Sequence, residues 1–170
     1  MTAIALLAAC SPATPPANNV AEGHALRTGD LAGEVFYEHA KVGDSFWLGI
    51  PFVENGSSDP LDLTGAYVED LPPGMQFTGK SAAYNVYHTD AFVSLVREKD
   101  GTFDLQGFKD YSKTPVAVKP HGQTDVFYMV QLKVKDASAG IVEGCRLTYR
   151  QGGKDYWQKV PCRLRLKVGD

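Results

Sequence analysis

With 170 residues and 44% hydrophobic content, the chain is long enough for one domain that buries a core of ordinary size. Its formal net charge of -3 supplies no attraction for a polyanionic backbone, which excludes nucleic acid as an expected partner. The chain also has no Gly-x-Ser-x-Gly elbow and no phosphate-cradling glycine loop, so the common hydrolase and nucleotide-binding signatures are excluded as well.

Residues 1–9 carry only apolar and small side chains and end in Leu7-Ala8-Ala9-Cys10. Ser11-Pro12-Ala13-Thr14-Pro15-Pro16-Ala17-Asn18-Asn19 follows, a composition that buries too little surface to order itself. A leucine and two small residues before a cysteine resemble the lipobox of exported bacterial lipoproteins, in which the cysteine is acylated on sulfur and becomes the mature N-terminus. The resemblance implies a palmitate-type lipid on Cys10, attachment to the membrane through it, and an extracytoplasmic, cell-envelope location. Residues 1–9 lack the basic n-region of a signal peptide, so a truncated signal peptide with its start further upstream is expected. The apolar run is far shorter than the roughly 20 residues a spanning helix needs. Residues 10–31 then read as lipidated cysteine and flexible tether, and 32–170 as the folded domain.

Beyond the tether, short strands alternate with turn signals. The stretch 45–53 is aromatic and β-branched, with Phe46, Leu48, Ile50 and Phe52 expected on one face. Asn55-Gly56-Ser57-Ser58-Asp59-Pro60 stops it, and Leu61, Leu63 and Tyr67 open the next strand. Further strands are expected near 75–79, 83–88, 91–97, 103–108 and 116–118. The clearest is 125–135, where Val126, Tyr128, Val130, Leu132 and Val134 form a core face and the opposite face is expected to be mostly wet.

With Cys10 assigned to lipid, Cys145 and Cys162 remain as an even pair that an extracytoplasmic compartment permits to oxidise. A four-residue loop at Gly152-Gly153-Lys154-Asp155 sets Gln151 against Tyr156 and Cys145 against Cys162; a two-residue Gly152-Gly153 turn sets Cys145 against Val160 and leaves the sulfurs poorly placed. The four-residue register is therefore expected. It gathers Cys145, Leu147, Tyr149, Val160, Cys162, Leu164, Leu166 and Val168 on the core face. Arg146, Arg150, Trp157, Lys159, Arg163, Arg165 and Lys167 share the other.

About seven to nine short strands of this kind predict an all-β, antiparallel sandwich. The segment from Phe46 to Leu63, broken at Asn-Gly-Ser and resumed with Leu-x-Leu, resembles immunoglobulin-like accessory domains of exported bacterial proteins, as does the Pro120-His121-Gly122 turn before the 125–135 strand. The antibody pattern of two cysteines flanking a core tryptophan is absent, since Cys145 and Cys162 sit in one expected hairpin. Such folds host many roles, so no activity follows from the resemblance.

Chemistry-bearing motifs are sparse. His24, His39, His88 and His121 are scattered without metal-ligand spacing, and Asp100-Gly101-Thr102-Phe103-Asp104 reads as a turn rather than a calcium loop. No catalytic residue, metal or cofactor is expected. Two surfaces remain. The face with Trp157 among Arg146, Arg150, Lys159 and Arg163 suits an anionic envelope polymer or lipid headgroups, or else is a solvated sheet face. The outward apolar set Trp47, Val53, Phe127 and Met129 forms a partner patch unless other chain segments cover it. The expected function is a non-enzymatic binding or accessory module for an envelope protein, polymer or small solute. The alternatives are an envelope carbohydrate or peptide hydrolase using loop carboxylates such as Glu69, Asp70 and Asp90, and a structural subunit of an envelope complex.

Overall fold

The computed structural model describes residues 20–29, 34–89, 92–99 and 105–169. In chain order these form β1 (Ala21–Glu22), β2 (Leu26–Thr28), β3 (Glu34–Ala40), β4 (Ser45–Ile50), β5 (Val53–Asn55), β6 (Leu61–Val68) and β7 (Met75–Asn85). A single helical turn α1 (Val86–Thr89) follows, then β8 (Leu95–Arg97), a 3-10 turn at Leu105–Gly107 and β9 (Val116–Val118). The chain closes with β10 (Val126–Val134), β11 (Ile141–Val142), β12 (Cys145–Gln151), β13 (Lys154–Val160) and β14 (Arg163–Val168). The protein is all-β as expected, but the described residues hold fourteen strands rather than seven to nine. Expected single strands are cut at proline: Pro51 separates β4 from β5, and Pro161 separates β13 from β14.

The strands form a five-stranded sheet in the order β1-β13-β12-β6-β9, a four-stranded sheet β7-β10-β4-β8, a three-stranded sheet β11-β14-β3 and the pair β2-β5. Most pairings are antiparallel, with two exceptions to the expectation: β1 runs parallel to β13, and β3 parallel to β14. The main core joins the two larger sheets. Leu61, Leu63, Leu147 and Tyr149 of one share a cluster with Phe46, Leu48, Ile50, Val130 and Leu132 of the other. Fully burying a side chain of this size contributes about 1.5–3 kcal/mol. Tyr128 spans the two sheets by donating to the Leu63 carbonyl at 3.4 Å, and burial together with nearby Asp110 pushes its hydroxyl pKa up.

Three corrections concern strand faces. The second face of β10 is dry as far as Gln131 and exposed only at Lys133, rather than mostly wet. Phe127 and Met129 pack with Ala82, Tyr84 and Val96 in a second cluster, covered by Trp47, Phe52, Phe92 and Phe108. Gln131, on that same face, is buried with its polar atoms satisfied: its amide donates to Glu98 at 3.0 Å and accepts from the Thr78 hydroxyl at 2.8 Å. Phe52 does not continue the Phe46, Leu48, Ile50 face. The break at Pro51 sends Phe52 into the second cluster and Val53 into the main core.

The third correction is the register of the β12-β13 hairpin. Gly152 and Gly153 form a two-residue turn with φ of 56° and 77°, the doubly left-handed geometry that matches strand twist, and Cys145 faces Val160. The disulfide Cys145–Cys162 forms nonetheless, with the Cα atoms 5.5 Å apart. Strand β13 ends at Val160, so Cys162 approaches Cys145 from the connection into β14 rather than from across a ladder.

Residues 20–29, expected to be tether, are part of the folded domain. The Gln158 side-chain amide accepts from the Leu26 N–H at 2.9 Å and donates to the Leu26 carbonyl at 2.6 Å, imitating a neighbouring strand. The Ala25 N–H donates to the buried Tyr149 hydroxyl at 3.2 Å. Gly23 is required there, because a Cβ would lie 1.9 Å from that hydroxyl oxygen. The lipobox, Cys10 and the rest of the expected tether lie outside the described residues.

Candidate functional site

The outer face of the β6-β12-β13 ribbon carries the polar and aromatic side chains that alternate with the core. On β12 these are Arg146, Thr148 and Arg150, and on β13 they are Asp155, Trp157 and Lys159. On β6 the phase changes partway. Thr148 faces Gly65 while Tyr149 faces Leu63, so Thr64 is the extra residue of a bulge. Leu61 and Leu63 point to the core before the bulge, and Ala66 and Val68 do so after it. Tyr67 is thereby turned outward beside Arg146.

Arg146 is the centre of this face. Its guanidinium lies 3.6 Å from the Trp157 ring centroid and 5.3 Å from that of Tyr67, so it touches both rings. Its Nη1 donates to the Tyr67 hydroxyl at 3.1 Å, its Nη2 pairs with the Glu69 carboxylate, and its buried Nε has no hydrogen-bond partner among the described residues. Desolvation opposes the charge on Arg146, but the hydrogen bonds to Tyr67 and Glu69 outweigh it and hold the proton more firmly than usual.

The other cations of the face are also matched. Arg150 Nε contacts Asp155 at 2.9 Å, which raises its pKa, and Lys159 contacts Asp70 at 3.4 Å. Arg163 does not join them. It sits on β14 in the three-stranded sheet, 3.4 Å from Glu34 and 3.3 Å from Glu143, and Arg165 shares Glu34 at 2.6 Å. The structure thus brings together Trp157, Arg146, Arg150 and Lys159, separates Arg163, and turns an expected basic face into a row of ion pairs.

Below Arg146, where Gly65 presents no side chain, a groove of about 360 Å³ opens. Thr64, Tyr67, Thr148 and the Arg150–Asp155 pair line it, and Val20 and Ser81 are also part of the wall. Strand β9 pairs only with Leu61, Asp62 and Leu63, so among the described residues 64–68 pairs with β12 alone and the groove reaches a sheet edge. No protein-family model matches this chain, and no curated protein matches it.

Elsewhere the candidate residues stay apart. Glu69 and Asp70 each face a cation rather than forming an acid and base pair, and Asp90 lies outside the described residues, as does 100–104. Among the described residues no group of three or more His, Cys, Asp or Glu side chains is placed to hold a metal, and no helix is long and apolar enough to cross a membrane. His24 lies between β1 and β2, His39 in β3, His121 in a turn at φ 52°, and His88 stacks on Tyr111 at 6.4 Å. The outward apolar set is covered: Phe127, Met129 and Trp47 belong to the second cluster and Val53 to the main core.

Tyr67, Glu69, Gly65 and Thr64 were missed as members of the Arg146 face. A sequence signal for them exists in the odd spacing of Leu61-x-Leu63 and Ala66-x-Val68, which marks a change of phase between Leu63 and Ala66.

Proposed function

We propose that this chain is a lipid-anchored, extracytoplasmic binding or accessory module of the bacterial envelope, acting without catalysis through the outer face of the β6-β12-β13 ribbon. The observation that carries the binding role is the Arg146 guanidinium held against Trp157 and Tyr67 and fixed by Glu69. A flexible arginine ordered this way gives a rigid mixed surface, so a ligand immobilises little on arrival. The compartment is supported by the lipobox resemblance at Cys10 and by the buried Cys145–Cys162 disulfide, a bond that persists in oxidising surroundings. The layered sheets are compatible with an immunoglobulin-like sandwich, extended by β1, β2 and the parallel β3-β14 pair.

The test is membrane fractionation of the protein produced in a bacterial host from a start that restores the signal peptide, comparing the unchanged chain with Cys10→Ser. Membrane-bound protein carrying acyl mass, with the variant unprocessed and lacking it, is the expected result. Soluble protein with a free Cys10 thiol overturns the anchor and the envelope location together.

A further inference from the structure

We propose that the groove beside Gly65 binds a neutral saccharide unit; this deepens, and rests on, the binding role given above. Its volume of about 360 Å³ falls within the roughly 300–1,000 Å³ typical of small-molecule sites.

Charge narrows the class of ligand. The cation that lines the groove, Arg150, is already opposed by Asp155, and along the same face Arg146 is opposed by Glu69 and Lys159 by Asp70. A polyanion would have to displace these carboxylates or lie against them, and like charges brought together across an interface are costly. A neutral ligand leaves every pair in place.

Polarity narrows it further. Thr64 and Thr148 hold each other by a hydroxyl contact of 3.0 Å, and each keeps hydrogen-bonding capacity for a second partner. The Arg150–Asp155 pair engages Nε and both carboxylate oxygens, and the guanidinium still offers donors from Nη1 while the carboxylate still offers lone pairs. Covering such groups with an apolar ligand would strand them without partners, at a cost of about 1–3 kcal/mol for each group left unsatisfied.

The matching ligand therefore carries hydroxyls that both donate and accept, and also an apolar surface for the outward-turned Tyr67, which lines the same groove. A pyranose ring has this combination, with C–H groups on its faces and hydroxyls around its rim. The site exists because two residues act together. The Thr64 bulge turns the Tyr67 ring outward, and Gly65 leaves the space that any other residue would occupy, its Cβ position lying 3.1 Å from Thr148 Oγ1.

The experiment titrates the full chain, purified in detergent, with maltotriose and with the trimer of N-acetylglucosamine, followed by calorimetry and by intrinsic tryptophan fluorescence. Saturable binding of at least one trisaccharide is expected, insensitive to added salt because no net charge is neutralised. Gly65→Val fills the groove and should weaken that binding about tenfold or more with the melting temperature preserved. Thr148→Val, an isosteric change that removes one hydroxyl, should weaken it about three- to tenfold and serves if Gly65→Val fails to fold. Three outcomes overturn the inference: no saturation by either trisaccharide, equal binding by the unchanged chain and both variants, or salt-sensitive binding of heparin in their place. Failure here with acylated, membrane-bound protein in the fractionation leaves the anchored module standing without this ligand. Saccharide binding by a chain that fractionates as soluble leaves the groove standing without the anchor.

Discussion

Both faces of β10 are dry from Val126 to Leu132, but for different reasons. Tyr128, Val130 and Leu132 are covered by a second sheet whose own alternation supplies Leu63, Leu147 and Tyr149. Phe127 and Met129, one step along the same strand, are covered by side chains from irregular connections, chiefly Phe52, Phe92 and Phe108. Rings there meet edge-on or tilted, with Phe127 5.3 Å from Phe92 and 5.9 Å from Phe52. A face covered by a ladder of backbone hydrogen bonds opens only when the sheet comes apart, whereas one covered by connections can open locally. The inner face is therefore expected to report global stability and the outer face local stability.

The largest expected effect is on the inner face. Phe46→Ala should lower the unfolding free energy by about 3–5 kcal/mol in denaturant titration, through lost burial and the cavity it leaves. Next comes the disulfide. Replacing Cys145 and Cys162 together by alanine should cost about 3 kcal/mol, the loop-closure value for a separation of 17 residues, measured by the same titration under non-reducing conditions.

A smaller effect is expected from the cover of the outer face. Phe92→Ala removes a half-buried ring and should cost about 1 kcal/mol of global stability. Hydrogen exchange should nevertheless accelerate at the Gly49 amide, which donates to the Ser94 carbonyl at 2.9 Å two residues beyond Phe92. A global loss as large as that of Phe46→Ala would erase the distinction between the two covers.

The smallest effect concerns the connection that crosses the edge of β7. Asp110 accepts from the Ala83 N–H at 2.9 Å, the Ser112 N–H at 2.8 Å and the Ser112 hydroxyl at 2.9 Å. Partial desolvation pushes its carboxyl pKa up, but these hydrogen bonds and Lys113 outweigh it and bring the pKa below the usual value. A carboxylate with a depressed folded-state pKa adds stability that is present above its unfolded pKa of about 3.9 and is lost as pH falls through the lower, folded value. Asp110→Asn should thus cost about 0.5 kcal/mol near neutral pH after allowance for solvent screening, and its difference from the unchanged chain should shrink in unfolding titrations below about pH 4.

The same contrast explains which parts of the molecule were legible beforehand. Alternation over 126–134 marked the inner face correctly, since period two is a property of the strand itself. It could not show that the other face is dry, because Phe52 and Phe92 are remote in sequence and belong to no regular pattern. The Arg146 site was half legible. Trp157, Arg146, Arg150 and Lys159 share a face in the expected four-residue register and in the observed two-residue one, since shifting the pairing by two leaves every side chain on its side. Arg163 was misplaced because Pro161 ends the strand before it. Tyr67 joins the face only because the Thr64 bulge inverts its side.

Local pattern was enough for the all-β class and the inward faces of β10 and β12, because alternation acts within a strand. The packing of remote segments sets the rest: Cys145 meets Cys162 from a connection, Gln158 clamps residues 20–29 onto the domain, and Glu69 reaches Arg146. Each of those depends on which segment lies alongside another, and in a sheet protein that choice is made by long-range burial and hydrogen bonding rather than by any short run of residues.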